Sequence, residues 1–121
     1  MGKKLLVVDD DEAFRLALKR TLELSGFEVL VAQGGRVGKH LLSTECIDAV
    51  ISDVRMPDGD GLDLVRFARQ AKPELPLILM TGFAHLSETQ EAHQLGAHEF
   101  IAKPFEKADL LAMLEKHLGP K

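Results

Sequence analysis

The chain has 121 residues, 45% hydrophobic and 28% charged, with a formal net charge of −4. These values fit one globular domain spanning residues 1–121. The acidic balance offers no general attraction for nucleic acid or anionic lipid, and no apolar stretch approaches the ~18 residues of a membrane span.

The N-terminus "MGKKLLVVDD" has no long apolar stretch or cleavage site of a secretion signal. Leu6 stands where a myristoylation motif wants Ser or Thr. The first apolar run, Lys4–Val8, is expected to form a strand and stops abruptly at Asp9, Asp10 and Asp11. Three adjacent carboxylates repel one another and cost free energy near a core, so their placement needs a reason. Asp11 is well placed to cap the next helix, in which Phe14, Leu18 and Leu22 recur at helical spacing and which Gly26 ends. A strand at Glu28–Ala32 and a helix over Val37–Thr44 follow. The single cysteine, Cys46, excludes an internal disulfide, fits a reducing cytoplasm and reads as a small buried hydrophobe.

The third run, Ala49–Ser52, leads into Asp53. The "DGDGLD" that carries Asp58, Asp60 and Asp63 lacks the late glutamate and flanking helices of a calcium loop. With Pro57, Gly59 and Gly61 it reads as a turn into a helix over Leu62–Ala71, which has Leu62, Val65 and Ala68 or Arg69 on one side. A strand at Leu77–Met80 precedes Thr81, a fourth helix covers about Ser87–Leu95, and Gly96 ends it. The fifth strand, Phe100–Ala102, precedes Lys103. In the last helix Leu110, Leu111, Leu114 and Leu118 form an apolar stripe, and "GP" at 119–120 ends it. The five histidines show no spacing suited to zinc; His85, His93 and His117 read as solvated.

Several of the strand runs lack in/out alternation, as expected where both faces of a sheet are covered. A β-α order repeated five times, with right-handed crossovers, gives a five-stranded parallel sheet with helices on both faces. Ligands of such sheets bind outside the carboxyl ends of the strands. Asp9, Asp10, Asp53, Thr81 and Lys103 all fall on that rim. Clustered carboxylates with no cysteine or paired histidine point to a hard cation, Mg²⁺ or Mn²⁺. Adding an ammonium and a hydroxyl makes an arrangement for phosphoryl chemistry with an aspartate as nucleophile.

The stretches "LLVVDDDE", "ISDVRMPDGDG", "LILMTG" and "FIAKPF", in that order, resemble the receiver domain of bacterial two-component response regulators across essentially the whole chain. The resemblance implies a doubly wound, flavodoxin-like (CheY-like) α/β fold of the (βα)5 type. It makes Asp53 the phosphoacceptor and Asp10 a direct Mg²⁺ ligand, with Asp9 acting largely through metal-bound water and the Arg55 backbone carbonyl completing the set. Thr81 and Lys103 would contact the phosphoryl oxygens, Lys103-Pro104 would be a cis peptide, and Phe100 would be the switch aromatic. The implied donor is a sensor histidine kinase or phosphotransfer protein in the cytoplasm. A phosphorylation-dependent homodimer would use the face of the fourth helix, fifth strand and last helix.

Arg55 and Phe83 border the phosphate's open side by position and are expected to slow hydrolysis. A phosphatase of the haloacid-dehalogenase type wants an acid two residues after its nucleophile, where Arg55 stands. A flavin or nucleotide carrier lacks its Gly-rich loop after strand 1, and a degenerate receiver would have lost acids or the lysine. The subclass resembles receivers of enhancer-binding transcription activators that work with the alternative sigma factor. Those carry ATPase and DNA-binding domains after the last helix. A free-standing regulator and a hybrid-kinase receiver are the alternatives.

Overall fold

The computed structural model describes residues 2–54, 61–82, 93–94 and 96–119. Among them run β1 (Lys4–Val8), α1 (Glu12–Leu24), β2 (Glu28–Ala32), α2 (Gly35–Thr44), β3 (Ala49–Asp53), α3 (Gly61–Ala71), β4 (Leu77–Thr81), β5 (Glu99–Ala102) and a C-terminal helix (Lys107–Leu118). The five strands form one parallel sheet in the order β2-β1-β3-β4-β5, the flavodoxin-like order with a switch point between β1 and β3. Of the expected fourth helix only residues 93–94, which are helical, are described; the rest of Ser87–Leu95 lies outside the described residues, as do Pro57, Asp58, Gly59, Asp60 and His85.

Side chains alternate across each strand, and here both sets are apolar. Leu6, Val8, Val50, Leu77 and Leu79 face α2 and α3, where Leu42, Leu64, Val65 and Ala68 meet them. Leu5, Val7, Ala49, Ile51, Ile78 and Met80 face the other way, toward Leu18 and Leu22 of α1 and Leu110 and Leu114 of the C-terminal helix. Asp11 caps α1 by accepting from the Phe14 backbone N–H at 3.1 Å. Beyond α1, Gly26 takes φ 101°, a left-handed value that favours glycine.

Leu62 is half-buried and packs against the same core cluster as Val65 and Ala68, as expected, and Leu64 adds to that face. Three expectations are corrected. Gly61 is the first helical residue and not part of a preceding turn. Cys46 is exposed, because its neighbour Ile47 takes the inward position.

The third is His117, which is half-buried over the edge strand, its Nε2 2.8 Å from Glu99 Oε2. Its ring meets that of His98 edge to face at 5.2 Å. His98 Nδ1 accepts from the Leu77 backbone N–H at 3.2 Å and lies 3.1 Å from Arg69 Nη2. Although His98 is largely exposed, partial desolvation of its ring, then the charges of Arg69 and His117, hold its pKa below 6.5 against the opposing pull of Glu99. The unfolded chain therefore binds a proton that the fold refuses. The stability this confers is present above pH 6.5 and is lost as pH falls through the lower folded value. His98→Gln, which keeps an acceptor for Leu77, is expected to flatten that acid loss in thermal melts. Equal acid slopes for parent and variant would refute it.

Candidate functional site

Each functional residue sits where a buried strand runs out of core. After Val8 the Asp9 backbone N–H still donates to the Ala32 carbonyl of β2 at 3.1 Å, which keeps Asp9 against the sheet with no exposed surface. A carboxylate so buried must be satisfied internally. Its Oδ1 accepts from the Asp11 backbone N–H at 2.9 Å and its Oδ2 from Lys103 Nζ at 2.7 Å. Asp10, one residue on, is exposed.

Asp53 closes β3 and is half-buried. The chain returns beside it, the Gly61 backbone N–H donating to the Val54 carbonyl at 2.6 Å. A Cβ at Gly61 would lie 2.3 Å from the Asp53 carbonyl oxygen, so only glycine permits this approach. Thr81 closes β4 one register position beyond the Asp53–Met80 pairing. The Lys103 backbone N–H donates to the Thr81 carbonyl at 2.7 Å, and Lys103-Pro104 is cis.

Lys103 Nζ also donates to Asp53 Oδ2 at 3.2 Å, so one ammonium bridges two carboxylates. Burial lowers the Lys103 pKa, but the Asp9 hydrogen bond and the charges of Asp53 and Asp9 outweigh it and hold the group above 10.5. Asp9, Asp10 and Asp53 offer carboxylate oxygens that all lie within 4.8 Å of one another. Three acids against one ammonium leave local negative charge in excess. The donor set is all oxygen, with no sulfur or imidazole, and so fits a small hard divalent cation.

The structure thus brings Asp9, Asp10, Asp53 and Lys103 together, with Thr81 on the adjoining strand end. Phe100 is half-buried on β5 and packs against the α2/α3 core. Arg55 and Phe83 lie outside the described residues. Sequence reasoning placed Phe14 only in the apolar stripe of α1, yet its ring lies against the Lys103 ammonium. The nearness of Phe14 to the capping Asp11 was the available signal.

Residues 5–115 match the family model described as the response regulator receiver domain. The chain is 38% identical over 117 residues to the response regulator protein FleR of Pseudomonas aeruginosa, covering 97% of this chain and 25% of FleR. It is 34% identical over 113 residues to the DNA-binding transcriptional regulator NtrC of Klebsiella pneumoniae, covering 93% of this chain and 24% of NtrC. Across the curated relatives it matches, the chain spans between about a quarter and a half of their length. Among solved structures, a CheY-like receiver domain protein from Methanospirillum hungatei JF-1 superposes with a TM-score of 0.94 at 31% identity, covering 98% of this chain and 94% of that one.

Proposed function

The chain belongs to the response regulator receiver family, and on that premise we propose that Asp53 accepts a phosphoryl group from the phosphohistidine of a sensor kinase or phosphotransfer protein. The observation that carries this reading is the placement of Asp53, a half-buried carboxylate 3.2 Å from an ammonium and within 4.8 Å of two further acids. An Asp53 carboxylate oxygen attacks phosphorus, a P–O bond forms, and the P–N bond to the donor imidazole breaks. The imidazole leaves with a proton from solvent, and the product is an aspartyl phosphate.

Lys103 faces the oxygens on which charge accumulates, and Thr81 supplies a hydroxyl from the next strand. Asp10 and Asp53 would hold Mg²⁺ directly, together with the Arg55 backbone carbonyl. Asp9, both of whose oxygens already accept protein N–H groups, would act through a bound water. When bound, the ion supplies charge compensation for the phosphoryl oxygens; Mn²⁺ offers the same chemistry.

The domain acts as a cytoplasmic switch and not on external substrates. Its only catalysis is its own phosphorylation and dephosphorylation, and Arg55 and Phe83 slow the dephosphorylation alone. Thr81 and Phe100 report the phosphate to a face that includes β5 and the C-terminal helix, where a second receiver docks. In a longer polypeptide resembling the curated relatives, this face would control a transcriptional output domain; this domain itself binds neither nucleic acid nor membrane.

The test is incubation with Mg²⁺ and acetyl phosphate followed by intact-mass and peptide mass spectrometry. A single phosphoryl adduct on Asp53, absent from Asp53→Asn, is expected. Label that persists in Asp53→Asn would refute the assignment.

A further inference from the structure

Lys103 meets acids on one side and an aromatic ring on another. Its Nζ stands 4.4 Å from the centroid of the Phe14 ring, as well as 2.7 Å from Asp9 Oδ2 and 3.2 Å from Asp53 Oδ2. The Phe14 ring is itself braced by Phe105, edge to face with centroids 6.0 Å apart and planes at 89°. Phe105 belongs to the "KPF" that carries Lys103, so one loop supplies both the ammonium and the support for the ring beside it.

The ring's place along α1 is fixed by the acids themselves. The Phe14 backbone N–H donates to Asp11 Oδ1 at 3.1 Å, and the Asp11 N–H donates to Asp9 Oδ1 at 2.9 Å. Arg15 Nη1 donates to the Asp9 carbonyl at 2.9 Å. The first turn of α1 is thereby tied to the same carboxylate that grips Lys103. An aromatic face is negative and attracts an ammonium, which an aliphatic side chain of similar size does not. An ammonium carries three N–H donors, of which two are directed at Asp9 and Asp53. The ring covers the cation without consuming a donor.

The geometry points to Phe14 as a positioning residue that holds the Lys103 ammonium toward the phosphoacceptor; this rests on the reading of Asp53 given above. Acting through Lys103, Phe14 should lose its effect when Lys103 is gone.

The experiment measures the rate of Asp53 labelling by acetyl phosphate with Mg²⁺ for the parent, Phe14→Leu and Phe14→Tyr, each with Lys103 intact and with Lys103→Ala. With Lys103 intact, Phe14→Leu is expected to slow labelling about fivefold, and Phe14→Tyr to stay within about twofold of the parent. In the Lys103→Ala background Phe14→Leu should change the rate less than about twofold. Equal slowing in both backgrounds would show a merely structural role and overturn the proposal.

A second readout needs no phosphoryl transfer. In NMR spectra of the unphosphorylated protein, the Lys103 ε-methylene protons should be shifted upfield by the ring in the parent and in Phe14→Tyr, and not in Phe14→Leu. An ordinary Lys103 shift in the parent would remove the ring contact, whatever the labelling shows. A parent with the ring shift but no label would instead overturn the phosphoacceptor reading, and with it any role of Phe14 in transfer.

Discussion

Lys103→Met is expected to lower the stability of the metal-free protein by about 2–4 kcal/mol. An exposed ion pair would be worth only ~0–1 kcal/mol, and Lys103, with 22% of its side chain exposed, would alone suggest a value near that range. Its partner decides otherwise. Asp9 has no exposed surface, so removing the cation leaves a buried carboxylate supported by the Asp11 backbone N–H and facing Asp10 and Asp53. Methionine recovers apolar contact with Phe14, which offsets part of the loss but none of the charge.

The folded-state pKa of Lys103 lies above 10.5, so the pair's contribution is fully present below 10.5 and is lost only as pH rises through the folded value. The deficit should therefore appear undiminished at neutral pH. Urea unfolding in a chelator measures it. Added Mg²⁺ should recover more stability in Lys103→Met than in the parent, because a cation then enters a pocket without a competing ammonium. Unchanged midpoints in chelator would show that Asp9 does not depend on Lys103.

The strands were legible in the sequence because the inner three, β1, β3 and β4, are buried on both faces and the edge strands keep an apolar centre. Uninterrupted apolar runs located β1 and β2 to the residue, and β3, β4 and β5 to within one residue. From four strand ends the parallel topology alone brings Asp9, Asp10, Asp53, Thr81 and Lys103 to one rim. Helix starts were less legible where the first turn carries no apolar marker. α2 begins at Gly35, behind a Gly34 cap with no side-chain hydrogen bond, and the C-terminal helix begins at Lys107 on a polar turn.

What the pattern did not show is which charged groups pair across the rim. Lys103 lies 94 residues from Asp9 and 50 from Asp53, and no local spacing encodes such contacts. From sequence alone this ammonium is expected to meet phosphoryl oxygens, with the crowding of the acids relieved by a metal ion. In the fold Lys103 answers part of that crowding itself. His117 and Cys46 were misread for a related reason: their burial is set by the edge strand and by Ile47, not by their own helix or run.

Mg²⁺ binding should separate the three consecutive aspartates by where the fold sends each carboxylate. Asp11 is committed to α1, its Oδ1 accepting from the Phe14 N–H at 3.1 Å. Asp9 is committed to the Asp11 N–H and to Lys103. Asp10 is exposed, yet it offers an oxygen within 4.8 Å of oxygens on Asp9 and Asp53. Asp10→Asn removes a charged ligand from an all-oxygen set and is expected to weaken Mg²⁺ by about 100-fold. Asp11→Asn is expected to change Mg²⁺ affinity less than about twofold, since asparagine caps a helix as well as aspartate does. Asp11→Ala should cost about 1 kcal/mol of stability through the lost cap while leaving Mg²⁺ affinity largely intact. The chain contains neither Trp nor Tyr, so titration calorimetry or NMR is the suitable readout. Equal losses of affinity in Asp10→Asn and Asp11→Asn would mean that the ion is held by the charge of the whole aspartate run, and the assignment of Asp10 as its ligand would fall.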